Sequence, residues 1–512
     1  MSVTQTASAE GRTGLSATFS RDFTASIVVF LVAMPLCMGI AVASGVPAER
    51  GLITGIVGGI VVGALAGSPL QVSGPAAGLA VIVFEIVQQH GLSTLGPILV
   101  LAGLIQLAAG ALKLGQWFRA ISPAVVHGML AGIGLLIVAA QVHVLFGDSP
   151  QANGVTNLLA IPGAIMSLSL SALGPTESAL VVGLVTIGAY LLWEKIRPAK
   201  LKLVPGALLG VLAGTFVAIA MGLDVQKIAV PESILGAIAV PTMGDMGKLA
   251  QPAILVTALA VAFIASAETL LSAAAVDKMH DGPRTKYNKE LFAQGVGNML
   301  CGFLGALPMT GVIVRSSANV QAGAATRAST IMHGFWILGF VALLPWLLRM
   351  VPSAALAGVL VVTGWRLVSL KHVQHLFAHY GLLPAMIWAA TFVMVVATDL
   401  LTGVLVGLAL TVLEIIPQLR RMRLKVHQRK TDDEAVEVSL DGAATFLQLP
   451  KITKALEATP DQGVIRLDTR KLSFLDHTCT EVLKDWIRSK ERTGAKVAMA
   501  DDCGFASKLA HA

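Results

Sequence analysis

Charge is what this sequence has least of. Asp, Glu, Lys and Arg make up 13% of it, against about 25% in a soluble domain. With 55% hydrophobic residues and a mean hydropathy of +0.76, that deficit excludes both a soluble globular enzyme and a disordered chain. The net charge of +7 is spread over 512 residues and argues against a nucleic-acid partner. Cysteine is scarce too: Cys37, Cys301, Cys479 and Cys503 lie far apart, with no metal-ligand spacing and no disulfide framework, and read as reduced thiols. There is no Walker motif, GxSxG, HExxH or CxxC, so neither ATP-driven transport nor hydrolytic chemistry finds support, and the chain does not read as an enzyme. A polytopic membrane protein is what remains.

The charges are unevenly placed. Residues 420–512 hold 31 of the 67 charged side chains, and the other 36 are diluted over 419 residues. The boundary is abrupt, an apolar run ending near Pro417 and then Arg420, Arg421, Arg423 and Lys425. The chain divides accordingly into a disordered lead at 1–20 without the features of a signal peptide, a membrane domain at 21–418, a basic linker at 419–431 and a soluble domain at 432–512.

A membrane span needs about 20 mostly apolar residues. Twelve candidates lie near 23–44, 51–67, 97–113, 122–146, 179–195, 203–222, 253–275, 289–306, 328–348, 352–369, 383–398 and 400–417. Two more apolar stretches, 75–87 and 310–321, are too short to cross. Of fourteen segments these are the third and the tenth, the same place in each half of seven. Short, Gly/Pro-interrupted segments at matching positions point to an inverted-repeat transporter; tight interhelical turns are the plainer reading. No Lys or Arg occurs between Arg119 and Lys195, which places the loop 147–178 outside, and the basic loop 195–202 goes inside with the 420–425 cluster. Both termini are then cytoplasmic. In the tail, Ala435–Leu440 alternates like a strand, Val464–Leu467 and Lys496–Met499 are short apolar runs, and Cys479–Arg492 has helical spacing with Val482, Leu483, Trp486 and Ile487 on one face. Strands alternating with helices indicate a small α/β domain.

Ionisable groups within spans are functional candidates, because an acid at the bilayer centre costs about 2.5–3.5 kcal/mol. Glu268 is the deepest; its carboxylate could hold a proton or help cage a sodium ion, with Ser272 one turn later on the same face. Arg315, inside the second short segment, could balance Glu268, offset an anion's charge or form a structural salt bridge. Ser73-Gly74-Pro75 is expected to start the first short helix, with Ser73 as cap and Pro75 in the first turn, and Thr310-Gly311 the second. Facing helix starts converge free N–H groups and positive dipole ends on an anion, and Gly74 and Gly311 allow close approach to the backbone. Pro35 is expected to kink the first span and turn carbonyls toward a cavity. His127, Gln141 and His143 read as interhelical hydrogen-bonders.

Four motifs, Pro35–Pro47, Gln71–Pro75, Ala267–Ala273 and Pro308–Asn319, together resemble the sulfate permease (SulP) family of anion transporters, whose animal relatives include prestin and pendrin. The tail, through Val464–Asp468 and Leu472–Thr478, resembles a STAS domain. The resemblance implies an all-α membrane domain of fourteen segments as a seven-plus-seven inverted repeat with two half-helices, divided into core and gate, followed by the small α/β STAS domain. It places the anion among Ser73, Gly74, Pro75, Thr310, Gly311, Val312 and Arg315, with Pro35, Leu36 and Cys37 lining the cavity. Glu268 and Ser272 fall at the coupling-ion position and would ligate sodium in a sodium-linked carrier. Two departures stand out. The STAS loop reads Asp476-His477-Thr478-Cys479 without the serine that relatives can phosphorylate, and Leu36-Cys37 stands where many relatives carry glutamine.

The expected function is secondary transport of sulfate or bicarbonate, elevator-like, coupled to H⁺ or Na⁺, by a homodimer in the inner or plasma membrane. No cofactor is expected apart from sodium, and the STAS domain is a site for a cytoplasmic partner. A nucleobase permease of the same fold is the alternative, disfavoured because the tenth segment carries Arg315 and no acid. A STAS-regulated anion channel or sensor is another.

Overall fold

The computed structural model of the protein describes residues 4–115, 122–151, 154–168, 174–198, 201, 203–229, 234–280, 282–368, 382–415, 424–430, 435–460 and 462–499. Arg119, Lys200, Lys202, Arg420, Arg421, Arg423 and Cys503, on which parts of the sequence reading rest, lie outside these. The chain forms two units, 1–115 with 130–368, and 116–129 with 369–512.

Every apolar segment expected from the sequence contains a helix. In the first unit these are α1 (Thr4–Ala43), α2 (Ala48–Val57, continuing through a π turn at Gly58–Val62 to Leu65), α3 (Ala80–His90, after a 3₁₀ turn at Ala77–Leu79), α4 (Leu92–Ala111) and most of α5 (Pro123–Leu145). A further helix, α6 (Gly154–Met166), occupies the loop between spans, and α7 (Pro175–Ile196) and α8 (Gly206–Ala220) follow. The second half continues with α9 (Pro252–Asp277), α10 (Tyr287–Phe303), α11 (Ile313–Gln321), α12 (Ala328–Leu343) and α13 (Ser353–Leu367). The second unit holds α14 (Leu382–Ala397) and α15 (Leu400–Ile415).

Two expectations need correction. Residues 4–20, read as a disordered lead, are the first turns of α1. The stretch contains no proline, and extending an existing helix is far easier than nucleating one. The helix runs on through Pro35, where proline removes one backbone bond. The basic linker is no linker at 425–430, where the chain is a strand, β3 (Lys425–Lys430), and Leu424 before it is buried.

Without water to drive association, membrane helices depend on close packing. The pair α4–α10 shows how. A Cβ on Gly103 would lie 2.4 Å from the Met299 nitrogen, and one on Gly295 would lie 2.5 Å from that of Leu107. Only bare glycine lets the two backbones come so near. This contact seats α10 beside the centre of the first unit.

The tail forms a four-stranded sheet in the order β3, β4 (Val436–Ala444), β5 (Gly463–Leu475), β6 (Ala495–Met499). The first pair is antiparallel and the others parallel. Parallel neighbours require crossovers, supplied by α16 (Leu449–Glu457) and α17 (His477–Thr493). Val438, Leu440, Ile452, Ile465, Leu467 and Leu483 form its core, each burial contributing about 1.5–3 kcal/mol. Asp476 caps α17 by accepting from the Cys479 N–H at 2.7 Å. Gly494 ends the helix at φ +100°, a conformation favouring glycine. Burial pushes the Asp476 carboxyl above its ordinary value even though it accepts these backbone N–H groups.

Candidate functional site

The residues expected to start the two short helices do not do so. Ser73–Pro75 is a strand, β1, and Met309–Gly311 another, β2. They pair antiparallel, Ser73 with Gly311, Gly74 with Thr310 and Pro75 with Met309. Helical turns begin just beyond, at Ala77 and at Ile313. The reason is backbone satisfaction: deep in the protein each N–H and C=O needs an internal partner, and two short strands supply them to each other. The ladder extends outward, as Val312 N–H donates to the Val72 carbonyl at 2.9 Å and Val72 N–H donates to Ser316 Oγ at 2.9 Å. Gly311 N–H donates to Thr269 Oγ1 at 3.1 Å, Gln71 Nε2 donates to the Thr269 carbonyl at 3.0 Å, and Asn319 Nδ2 to the Leu70 carbonyl at 3.0 Å.

The structure thus brings both halves of the expected site together. An antiparallel pair at matching positions of the two halves is also what a two-fold axis in the membrane plane produces. Val312 is the N-cap of α11, with no side-chain cap bond, and Ile313 and Val314 after it are exposed. The opening of this half-helix therefore keeps uncapped donors and the positive end of its dipole.

Arg315 is fully buried at 0% exposure. Its guanidinium lies against Gly74, where an added Cβ would sit 2.0 Å from Nη1. Among the described residues Nε, Nη1 and Nη2 have no oxygen or nitrogen hydrogen-bond partner, and the Cys37 thiol interacts with the guanidinium. The salt bridge with Glu268 that the sequence left open is therefore not formed. Guanidinium stays charged at any accessible pH, and an uncompensated buried charge costs several kcal/mol. Its field reaches Cys37 and His333.

Glu268, on α9, stands at the opposite strand. It hydrogen-bonds with Thr310, and a Cβ on Gly78 would meet its Oε1 at 1.5 Å. Unlike Arg315 it is partly exposed. Ser272 lies one turn further along α9 and is buried. Pro35, Leu36 and Cys37 are all buried on α1, Leu36 within an apolar cluster that includes Leu52, Ile337 and Val359. Of the other polar candidates, the His143 ring pairs at 3.0 Å with the Asn157 carbonyl of α6, as an interhelical role requires. Gln141, read as an interhelical hydrogen-bonder, is instead buried with neither amide atom paired among the described residues.

A set of supporting residues was not singled out from the sequence. Glu290, Gln294 and Asn298 lie one turn apart on α10 and are buried. Gln294 Nε2 donates to Ser73 Oγ at 2.6 Å, and Asn298 Oδ1 accepts from Met309 N–H at 2.8 Å while its Nδ2 donates to the Met309 carbonyl at 3.1 Å. One helix face therefore holds β1 and β2 at once. Three polar residues at a spacing of four within an apolar span were the available signal.

Comparisons with known proteins identify the family. The profile described as "Sulfate permease family" matches residues 19–391. YvdB of Bacillus subtilis, which carries a sulfate-transporter name, is 30% identical over 505 residues, covering 94% of this chain and 91% of the relative. The bicarbonate transporter BicA of Synechocystis sp. is 25% identical over 424 residues, covering 80% and 72%. Among solved structures, the transmembrane domain of a cyanobacterial BicA superposes with a TM-score of 0.65 at 23% identity, over 75% of this chain and 97% of that one. SLC26A9 superposes with a TM-score of 0.68 at 16% identity, over 97% and 87%. These relatives are named as transporters, not as enzymes.

Proposed function

The chain belongs to the sulfate permease family, an integral membrane protein rather than an enzyme, and on that footing we propose that it is a secondary active carrier of sulfate or bicarbonate. One observation carries this reading: Arg315 is completely buried, has no oxygen, nitrogen or carboxylate partner for its guanidinium among the described residues, and lies against the paired strands that lead into two half-helices. A permanent buried cation without a partner is stabilised by an anion, and the fork of N–H donors suits an oxyanion. Gly74 lies against that guanidinium, and in this reading Ser73, Pro75, Thr310, Gly311 and Val312, on or next to the same paired strands, complete the anion site. The names of the relatives supply the two candidate substrates.

Glu268 is the coupling group in this proposal. It carries the proton of an H⁺-coupled cycle or, with Ser272, ligates the cargo sodium of an Na⁺-coupled one. Carriage is elevator-like, in a homodimer, in the inner or plasma membrane with both termini in the cytoplasm. The tail sheet, with its two crossover helices, serves as a STAS domain open to a cytoplasmic partner.

The test is uptake of radiolabelled sulfate and of bicarbonate into proteoliposomes, with proton and sodium gradients imposed separately. Saturable uptake of one anion driven by one gradient is expected, and Arg315→Ala raises KM at least tenfold. Currents without saturable flux, or an unchanged KM in Arg315→Ala, overturn the reading.

A further inference from the structure

We propose that Gln294 is a positioning residue that fixes the sense of the hydrogen bond at Ser73, leaving that hydroxyl able only to donate to the transported anion. The inference rests on the reading of Ser73 as part of the anion site. An amide nitrogen has two hydrogens, and Gln294 Nε2 uses both: one to Ser73 Oγ at 2.6 Å, the other to Glu290 Oε1 at 3.1 Å. Glu290 Oε2 in turn accepts from the backbone N–H groups of Gly67 at 2.7 Å and Ser68 at 2.8 Å. Both carboxylate oxygens thus stand as acceptors in this arrangement.

That arrangement decides which way round the amide sits. Rotated by half a turn, Gln294 would set its carbonyl oxygen against a carboxylate oxygen, acceptor facing acceptor. Gln294 Oε1 has no partner among the described residues although it is buried, so the side chain is not placed to satisfy itself but to serve two acceptors. The orientation runs in one direction, from the turn at Gly67 and Ser68 through Glu290 and Gln294 to Ser73, across 221 residues of sequence.

The consequence falls on the ligand. Ser73 Oγ accepts from Gln294, and no hydrogen bond from its own hydroxyl proton is found among the described residues. Arg315, packed against Gly74, also presents only donors. The side chains that meet the strand at Ser73 and Gly74 therefore leave donors for the anion. That arrangement suits the bare oxygens of a sulfate or the carboxylate edge of a bicarbonate, and it rejects a group that brings its own O–H or N–H, such as a protonated acid or an amide.

The experiment is a double-mutant cycle in proteoliposomes, reading KM and turnover for whichever of sulfate and bicarbonate the wild type carries. Ser73→Ala is expected to raise KM about tenfold, the equivalent of one hydrogen bond to a charged group. Gln294→Met should raise KM by a similar factor with turnover little changed, and should add less than twofold in the Ser73→Ala background. Gln294→Glu is a second variant of the same size; its single proton cannot serve both acceptors, and it should show the same dependence on Ser73. Multiplying effects of Ser73→Ala with either Gln294 variant overturn the inference and leave the anion site standing. An unchanged KM in Ser73→Ala itself instead removes Ser73 from the anion site.

Discussion

Gly74 and Arg315 are in contact at the centre of the first unit: a methyl group on Gly74 would sit 2.0 Å from Nη1 and 3.0 Å from Cζ of the guanidinium. Arginine reaches its place only because the strand beneath it has no side chain there. Gly74→Ala is expected to push the guanidinium out of position and raise KM for the anion at least tenfold, while the protein still folds. Uptake kinetics and size-exclusion profiles of the variant check this; wild-type KM would show that the position of the guanidinium is unimportant.

Glu268 depends on a glycine in the same way. A Cβ on Gly78 would lie 1.5 Å from its Oε1, so Gly78→Ala must displace the carboxylate from Thr310. Glu268→Gln is expected to abolish uptake or uncouple it from the driving gradient, and Gly78→Ala to do likewise with the carboxylate still present. Gradient-driven uptake at wild-type rate in Glu268→Gln vesicles would take Glu268 out of the mechanism.

Thr54 secures the approach to β2. Its Oγ1 accepts from Leu307 N–H at 2.9 Å and its hydroxyl lies 2.9 Å from the Arg50 carbonyl and 3.0 Å from that of Leu307. Thr54→Val leaves the buried Leu307 N–H without an acceptor, at a cost of about 1–3 kcal/mol. A lower thermal midpoint in detergent is expected for Thr54→Val and near-wild-type behaviour for Thr54→Ser. Equal midpoints for all three would show the bond to be dispensable.

The tail should lose a small increment of stability in acid. Arg470 donates to Asp468 through Nε at 3.0 Å and Nη2 at 2.9 Å, which holds the Asp468 carboxyl below its ordinary value. A depressed carboxyl stabilises the fold at pH above its unfolded value of about 3.9, and the contribution disappears as pH falls through the folded value. Arg470 is half-exposed, so solvent screening limits the effect to at most about 1 kcal/mol. Asp468→Asn should be less stable than wild type at pH 7 by hydrogen exchange of β5, with the difference shrinking toward pH 3. A constant difference across that range contradicts the ion pair.

Local information and long-range information part company at identifiable places. The fourteen apolar segments, the short third and tenth, the strand–helix alternation of the tail, and Glu268 and Arg315 as candidates were all legible, because apolar run length, periodicity and an ionisable group among apolar neighbours are properties of a stretch of chain. Residues 425–430 were misread because a polar edge strand has little apolar pattern of its own and is a strand only through its pairing with β4. Glu290, Gln294 and Asn298 passed as ordinary polar residues of a span because their partners, Ser73 and Met309, come from other parts of the chain.

What the sequence alone determined is therefore a membrane protein with two interrupted half-spans and a soluble tail: burial in lipid depends on how many apolar residues follow one another, and that can be counted. Only the tertiary structure decided that Ser73–Pro75 and Met309–Gly311 are paired strands rather than helix starts, and that Arg315 has no carboxylate partner among the described residues. Both depend on which distant groups satisfy a backbone or a charge once the chain has closed on itself.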